Sequence, residues 1–162
     1  MGDREKILRG IRGMQGIRGM QGMQGMQGFE SVRYDDAMKK AKEMIVAVGG
    51  AVLEKDSDAY GAWKPELDSL TILGEFLVAE NGAVWVEPSS DMERSAVFLA
   101  EHLIIEVPKN KLVHNMHEAY AQLKGRSFAY GTFVSGPSKT ADIEQSLVIG
   151  AQGPKSCMVV LT

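Results

Sequence analysis

The order of the apolar segments predicts a single domain of the α/β class. An amphipathic helix is predicted over residues 34–48, and Gly49-Gly50 ends it before a short strand at 51–54. A helix followed by a strand fits a layered α/β arrangement. The run 103–107 is almost continuously apolar, which indicates a strand buried on both faces, as in a parallel sheet.

Composition and charge indicate the broad class to which the protein belongs. The 162 residues contain 44% hydrophobic and 24% charged residues, as in ordinary soluble domains. A net charge of −3 gives no electrostatic reason to expect nucleic acid as a partner. No run approaches the roughly 18 apolar residues of a membrane span, and the first residues lack the apolar core of a signal peptide. We therefore expect a cytoplasmic protein.

The first 28 residues form a low-complexity segment, set apart from a single domain at 29–162. Glycine recurs at every third position from Gly10 to Gly28, without proline, so a collagen helix is not expected. Seven glycines would cost an α-helix roughly 7 kcal/mol relative to alanine. We predict a mobile tail that contributes little to the fold. The alternative is a segment that orders on a partner through its methionines.

Turn residues divide the rest of the chain. Asn81-Gly82 between the runs 76–78 and 84–86 predicts a β-hairpin. Residues 55–70 and 88–94 are predicted loops, the first with one helical turn at most. One apolar stripe predicts a helix from Leu112 to Leu123, and strands are expected at 128–134 and 158–161.

The stretch 131–154 combines glycines, prolines, carboxylates, a lysine and hydroxyl side chains. It reads GTFVSGPSKTADIEQSLVIGAQGP. A strand is expected to end there in a turn at 135–138, where Gly136 can adopt positive φ and Pro137 fixes its own φ. A nucleotide-binding P-loop is not expected, because Pro137 removes a backbone donor that a phosphate would need. A more general anion site is plausible, since Lys139, Ser138, Thr140 and backbone N–H groups can hold a carboxylate or phosphate.

GPSKTADIE followed by LVIGAQGP resembles the signature of the LUD-domain family, in its lactate-utilisation protein C group. The family pattern is close to SGPSxTADIExxLVxGxHGP, and this chain departs from it at Gln152, where histidine is usual. An upstream motif near AETGT is represented by AENGA at 79–83. The resemblance covers roughly residue 72 to the end. It implies a three-layer α/β fold similar to the sugar-phosphate isomerase and CoA-transferase superfamily, and a role in L-lactate oxidation beside iron–sulfur partner proteins.

The two motifs supply the candidate site residues. Three carboxylates are candidates for acid–base or nucleophilic chemistry: Glu80, Asp142 and Glu144. The candidate ligand-binding residues come from the same two motifs: Asn81, Gly82, Ser135, Gly136, Ser138, Lys139, Thr140, Gln152 and Gly153. Structural alternatives remain open. Glu80 and Asn81 could serve only the turn, and a helix starting near Thr140 would place Asp142 and Glu144 in its favourable first turn.

No metal site and no redox cofactor are expected in this chain. His114, His117 and Glu118 have a spacing that could hold a metal, but a solvated helix face is the favoured interpretation. An iron–sulfur cluster needs about four cysteines, and Cys157 is the only one, expected to be a buried unreactive thiol.

Two functions therefore stay open. One is a non-redox subunit of a lactate-oxidising system that binds a small anion or a partner. The other is a self-contained isomerase or transferase acting on a phosphorylated or CoA-linked substrate.

Overall fold

The computed structural model describes residues 32–66, 68–143, 146–150 and 153–162. Within these residues the chain forms four helices and nine strands. The helices are α1 (Ala37–Ala47), α2 (Asp58–Ala62), α3 (Asp91–Leu99) and α4 (Met116–Leu123). The strands are β1 (Ala51–Glu54), β2 (Ser69–Val78), β3 (Val84–Val86), β4 (His102–Val107), β5 (Leu112–Val113), β6 (Thr132–Val134), β7 (Lys139–Ile143), β8 (Ser146–Ile149) and β9 (Ser156–Leu161).

Seven of the described strands form one mixed sheet in the order β1-β9-β4-β2-β3-β6, with β5 paired to β2. The strands β1, β9, β4 and β2 run parallel, and Leu103 of β4 lies opposite Cys157 of β9. β3 and β6 extend this sheet in antiparallel pairings. β7 and β8 form a separate antiparallel pair directly after β6.

Helices cover both faces of the sheet. Ala41 and Ile45 of α1 and Val97 of α3 pack in one buried cluster with side chains of β2, β4 and β9. Ala119 of α4 packs in a second cluster with Phe76 and other side chains of β2, β3 and β5. Successive strand residues point to opposite faces, and the neighbours Leu77 and Val78 of β2 enter different clusters. The three-layer α/β class predicted above is thus confirmed.

Several predicted elements are confirmed in detail. α1 ends before Gly49-Gly50, and β1 and β4 occupy the expected residues. The hairpin around Asn81-Gly82 joins β2 to β3 through a turn longer than two residues, which Gly82 closes by donating its N–H to the Val78 carbonyl oxygen. In the part of the chain that is described, no helix combines the length and the apolarity needed to cross a membrane.

Three element predictions were wrong. The predicted loop 88–94 runs into helix α3, which Ser90 caps by accepting the N–H of Glu93. Leu112 and Val113 do not begin a helix, because they pair with Leu77 and Val78 of β2. Their helix starts after Asn115, whose side chain accepts the N–H of Glu118. The strand expected at 128–134 covers only Thr132–Val134.

Residues 139–143 also differ from one structural alternative that the sequence left open. Residues 139–143 form a strand, so the possible helix beginning near Thr140 is absent and its dipole cannot act on Asp142. Antiparallel pairing with β8 supplies the backbone hydrogen-bond partners that a helix would otherwise have provided. The predicted tail, residues 1–28, lies outside the described residues.

Candidate functional site

The loop between β6 and β7 rests on the carboxyl-terminal end of α1. Gly136 has a φ of 74°, as its sequence context predicted. A Cβ atom at this position would lie 2.9 Å from both the side chain and the carbonyl oxygen of Val48. Glycine is therefore required here by the backbone conformation and by the close approach of α1.

Lys139 brings a positive charge to the same helix end. Its Nζ atom would lie 2.6 Å from a Cβ atom built on Gly49, which follows α1 with a φ of 87°. The last carbonyl groups of a helix carry partial negative charge, so an ammonium group is favourable at this place. The side chain of Lys139 is also exposed, so its amine can meet a solute.

The two halves of the 131–154 stretch meet in space. The N–H of Ser138 donates to the carbonyl oxygen of Pro154 at 2.8 Å, and the N–H of Gly150 donates to the carbonyl oxygen of Ser138 at 3.0 Å. Gly153 has a φ of 148°, and a Cβ atom there would approach Cβ of Ser138 to 3.2 Å. Two glycine–proline turns that are distant in sequence thus form one compact unit.

The turn at 79–83 joins this unit from the other side. The hydroxyl of Ser135 donates to the carbonyl oxygen of Asn81 at 3.0 Å. The Asn81 side chain in turn accepts the N–H of Ala83 at 3.0 Å. These bonds hold the hairpin turn against the end of β6, so the two motifs that the sequence analysis singled out are in direct contact.

Glu80 points away from this contact and toward α4. Its Oε2 atom accepts the N–H of Met116, the first residue of α4, at 2.8 Å. The first N–H groups of a helix have no partner within the helix, and a carboxylate satisfies both their hydrogen bond and the positive end of the helix dipole. The structure therefore gives Glu80 a helix-capping contact.

An open cavity of about 360 Å³ adjoins the loop. It lies near the amino ends of β4 and β9, between α3 and the end of β6. Its lining combines apolar side chains with the polar residues of the loop: Val97, Phe98, Leu103, Thr132, Phe133, Val134, Ser135, Gly136, Pro137, Ser138, Lys139, Gly153 and Pro154. A cationic amine and three hydroxyl side chains therefore line the cavity beside apolar side chains.

Cys157 lies beneath the loop, in the buried cluster of β9. Burial raises the pKa of this thiol from 9.0 to about 11, and a hydrogen bond from the backbone of Gly136 acts in the opposite direction. A thiol with a raised pKa is protonated near neutral pH and is a poor nucleophile. This agrees with the expectation of an unreactive buried cysteine.

A family model described as the LUD domain matches residues 71–162. The chain belongs to the LUD-domain family. The match runs from the third residue of β2 through β9 and includes the hairpin turn, the 135–139 loop and every described residue that lines the cavity. The resemblance inferred from the signature is thereby confirmed.

Curated relatives of this LUD domain carry the name lactate utilization protein C. The protein of that name from Shouchella clausii is 38% identical over 93 residues, which are 54% of this chain and 41% of the relative. The one from Bacillus subtilis is 34% identical over 94 residues, 54% of this chain and 39% of the relative. The chain thus spans about two fifths of the length of the curated relatives it matches.

A solved structure is similar in fold. The crystal structure of a DUF162 family protein from Deinococcus radiodurans matches with a TM-score of 0.52 and 13% sequence identity. The match covers 81% of this chain and 99% of the Deinococcus radiodurans chain. At this identity the likeness concerns the fold alone.

The predicted site residues of this LUD domain fall into four groups. Those that line the cavity are Ser135, Gly136, Ser138, Lys139 and Gly153. Asn81 is joined to them through Ser135, whereas Glu80 and Gly82 contact helices α4 and α1 instead. Thr140 and Asp142 lie in strand β7, which begins at Lys139 of the cavity lining. Glu144 and Gln152 lie outside the described residues.

Sequence reasoning missed the apolar wall of the cavity. Val97 and Phe98 come from α3, which was predicted as loop and unassigned chain, and Leu103 was recognised only as a strand residue. A signal for α3 was present. Ser90 and Glu93 have the S-x-x-E spacing of a capping box, and Glu93 accepts hydrogen bonds from Ser89 just before the helix.

Two of the three histidines have structural contacts. His114 precedes α4, and its Nδ1 atom accepts the N–H of Tyr34 at 3.0 Å, which ties residues 32–34 to the domain. His102 lies between Ser156 at 2.8 Å and Glu66 at 3.1 Å. Among the described residues no group of three or more histidine, cysteine or acidic side chains is arranged to hold a metal ion.

Proposed function

We propose that this LUD domain is a non-redox component of L-lactate utilisation and that it binds a small organic anion at the 135–139 loop. The observation that carries this proposal is the position of Lys139 and Ser138 on the border of the cavity. Lactate and pyruvate offer a carboxylate, which an exposed ammonium group and a hydroxyl can bind by charge-assisted hydrogen bonds. The names of the curated relatives supply the pathway.

The oxidation itself is assigned to partner proteins. Removing two electrons from lactate needs a redox cofactor, because cofactors carry such steps. This chain has one cysteine, whereas an iron–sulfur cluster needs about four thiolates. We therefore place the clusters on iron–sulfur lactate-utilisation proteins and assign to this chain a role in holding the anion or the partner. The cytoplasmic location stays a prediction.

Calorimetric titration with L-lactate, pyruvate and the neutral amide of lactate tests the binding site. We expect the two carboxylates to bind and the amide to bind at least tenfold more weakly. Lys139→Gln is expected to weaken the binding of both carboxylates. The matched control is Lys124→Gln, at an exposed lysine that does not line the cavity. Equal affinity for lactate and its amide would contradict an anion site.

An activity assay tests whether the oxidation takes place on partner proteins. The purified chain is expected to be colourless and inactive on lactate with an artificial electron acceptor. Activity is expected only after iron–sulfur lactate-utilisation proteins are added. Lactate oxidation by the chain alone, or a bound flavin in its absorption spectrum, would contradict the non-redox role and favour an enzyme that acts on its own.

A further inference from the structure

The cavity beside the 135–139 loop is larger than a three-carbon acid requires. Its volume of about 360 Å³ falls in the range of roughly 300–1,000 Å³ that is typical of sites for much larger organic ligands. Lactate has only a handful of non-hydrogen atoms, so a lactate molecule held at Lys139 would leave most of the space to water.

The lining of the cavity has an apolar part and a polar part. Val97 and Leu103 are at most 3% exposed, and Pro154 is buried, so part of the lining is buried and apolar. Phe98 stands at the opening, where its ring is about half exposed. The polar side chains of the lining belong mainly to the loop, with Ser138 and Lys139 on the border.

We infer that the cavity takes an amphipathic organic anion, a carboxylic acid of the 2-hydroxy type whose apolar tail is several carbons longer than that of lactate. The carboxylate lies at Lys139 and Ser138, and the tail lies against Val97, Leu103 and Phe98. This inference rests on the proposed anion site and adds the class of ligand. Each methylene group that leaves water for the apolar wall strengthens binding about fourfold.

A homologous series tests the inference directly. The full chain is titrated with L-lactate, 2-hydroxybutanoate, 2-hydroxyhexanoate and 2-hydroxyoctanoate, and with octane-1,2-diol as the neutral analogue of the longest acid. The dissociation constant is expected to fall about threefold to fourfold per added methylene until the wall is covered. The diol is expected to bind at least tenfold more weakly than 2-hydroxyoctanoate.

The outcomes separate this inference from the proposal on which it rests. Equal affinity for lactate and for the longer acids would overturn the amphipathic ligand and leave the anion site standing. A diol that binds as tightly as 2-hydroxyoctanoate would overturn the anion site. Absence of binding by every member of the series would overturn both.

Two variants on α3 provide a matched pair. Phe98→Ser removes a partly exposed side chain that lines the cavity, and Leu99→Ser removes its neighbour, which is 80% exposed and does not line it. Phe98→Ser is expected to reduce the gain in affinity per added methylene group. Leu99→Ser is expected to keep the full gain. Equal behaviour of the two variants, with matching unfolding midpoints, would overturn the assignment of the tail to this wall.

Discussion

Gly82 approaches Ile45 so closely that a Cβ atom on the glycine would lie 2.6 Å from the backbone nitrogen of Ile45. The hairpin turn therefore packs directly against the last turn of α1, which spans Ala37–Ala47. The same helix supports the 135–139 loop at its end, through Val48 and Gly49. One helix thus fixes the relative position of both motifs that resemble the LUD signature.

The first prediction concerns this close approach. Gly82→Ala is expected to lower the free energy of unfolding by roughly 2 kcal/mol or more, because the new methyl group meets backbone atoms that cannot rotate away. Part of the loss comes from the φ of 66°, which disfavours any side chain. Chemical denaturation measures the change.

Two glycines supply controls for Gly82. Gly125 has a φ of 79° but open space around its Cβ position, so Gly125→Ala reports the conformational cost alone. Gly61 in α2 has open space and no positive φ, so Gly61→Ala is expected to be neutral or slightly stabilising. A loss at Gly82 no larger than the loss at Gly125 would contradict the steric explanation.

The second prediction compares two residues of the same loop. Gly136→Val is expected to lower soluble yield and the unfolding midpoint far more than Lys139→Ala does. The valine would need a φ near 74° and would collide with Val48. Removing the exposed Lys139 amine costs only a favourable charge at a helix end. Similar midpoints for the two variants would mean that the loop can rearrange.

The third prediction separates two roles of Glu80. If capping is the role of Glu80, the Glu80→Gln variant keeps most of the stability, because the amide oxygen still accepts the Met116 N–H. The Glu80→Ala variant then lowers the melting temperature by a few degrees. Activity in the reconstituted lactate assay then follows stability. A Glu80→Gln variant with an unchanged melting temperature and no activity would instead support the catalytic role that the sequence suggested.

The fourth prediction concerns Cys157. Because burial raises the pKa of its thiol from 9.0 to about 11, the native thiol is expected to react with iodoacetamide at pH 8 much more slowly than the unfolded thiol does. Mass spectrometry of the modified chain gives both rates. A native rate close to the unfolded rate would show that the thiol is accessible.

The raised pKa of Cys157 also predicts a dependence of stability on pH. The unfolded thiol loses its proton near pH 9, before the native thiol does, so the free energy of unfolding falls as the pH rises from about 9 to about 11. Below that window the contribution is fully present. Lysine and tyrosine also titrate there, so the measured quantity is the difference between the wild type and Cys157→Ala.

The sequence by itself determined the features that depend on local pattern. Helical spacing and Gly49-Gly50 located α1, and continuous apolarity located the central strand β4. The glycines at 82 and 136 could be recognised because a turn depends on the residue types at a few adjacent positions. Both glycines have positive φ. The signature also identified the family, since it lies within a few consecutive blocks of residues.

Tertiary structure decided what depends on distant partners. Leu112 and Val113 have a helical pattern, yet they form a strand because the end of β2 extends past its pairing with β4 and pairs with them. Residues 139–143 form a strand because β8 pairs with them. The apolar wall of the cavity, from Val97 to Leu103, faces a loop more than 30 residues further along the chain. Local propensity contains no information about such neighbours, so only the packed sheet could bring Lys139 and Phe98 to one cavity.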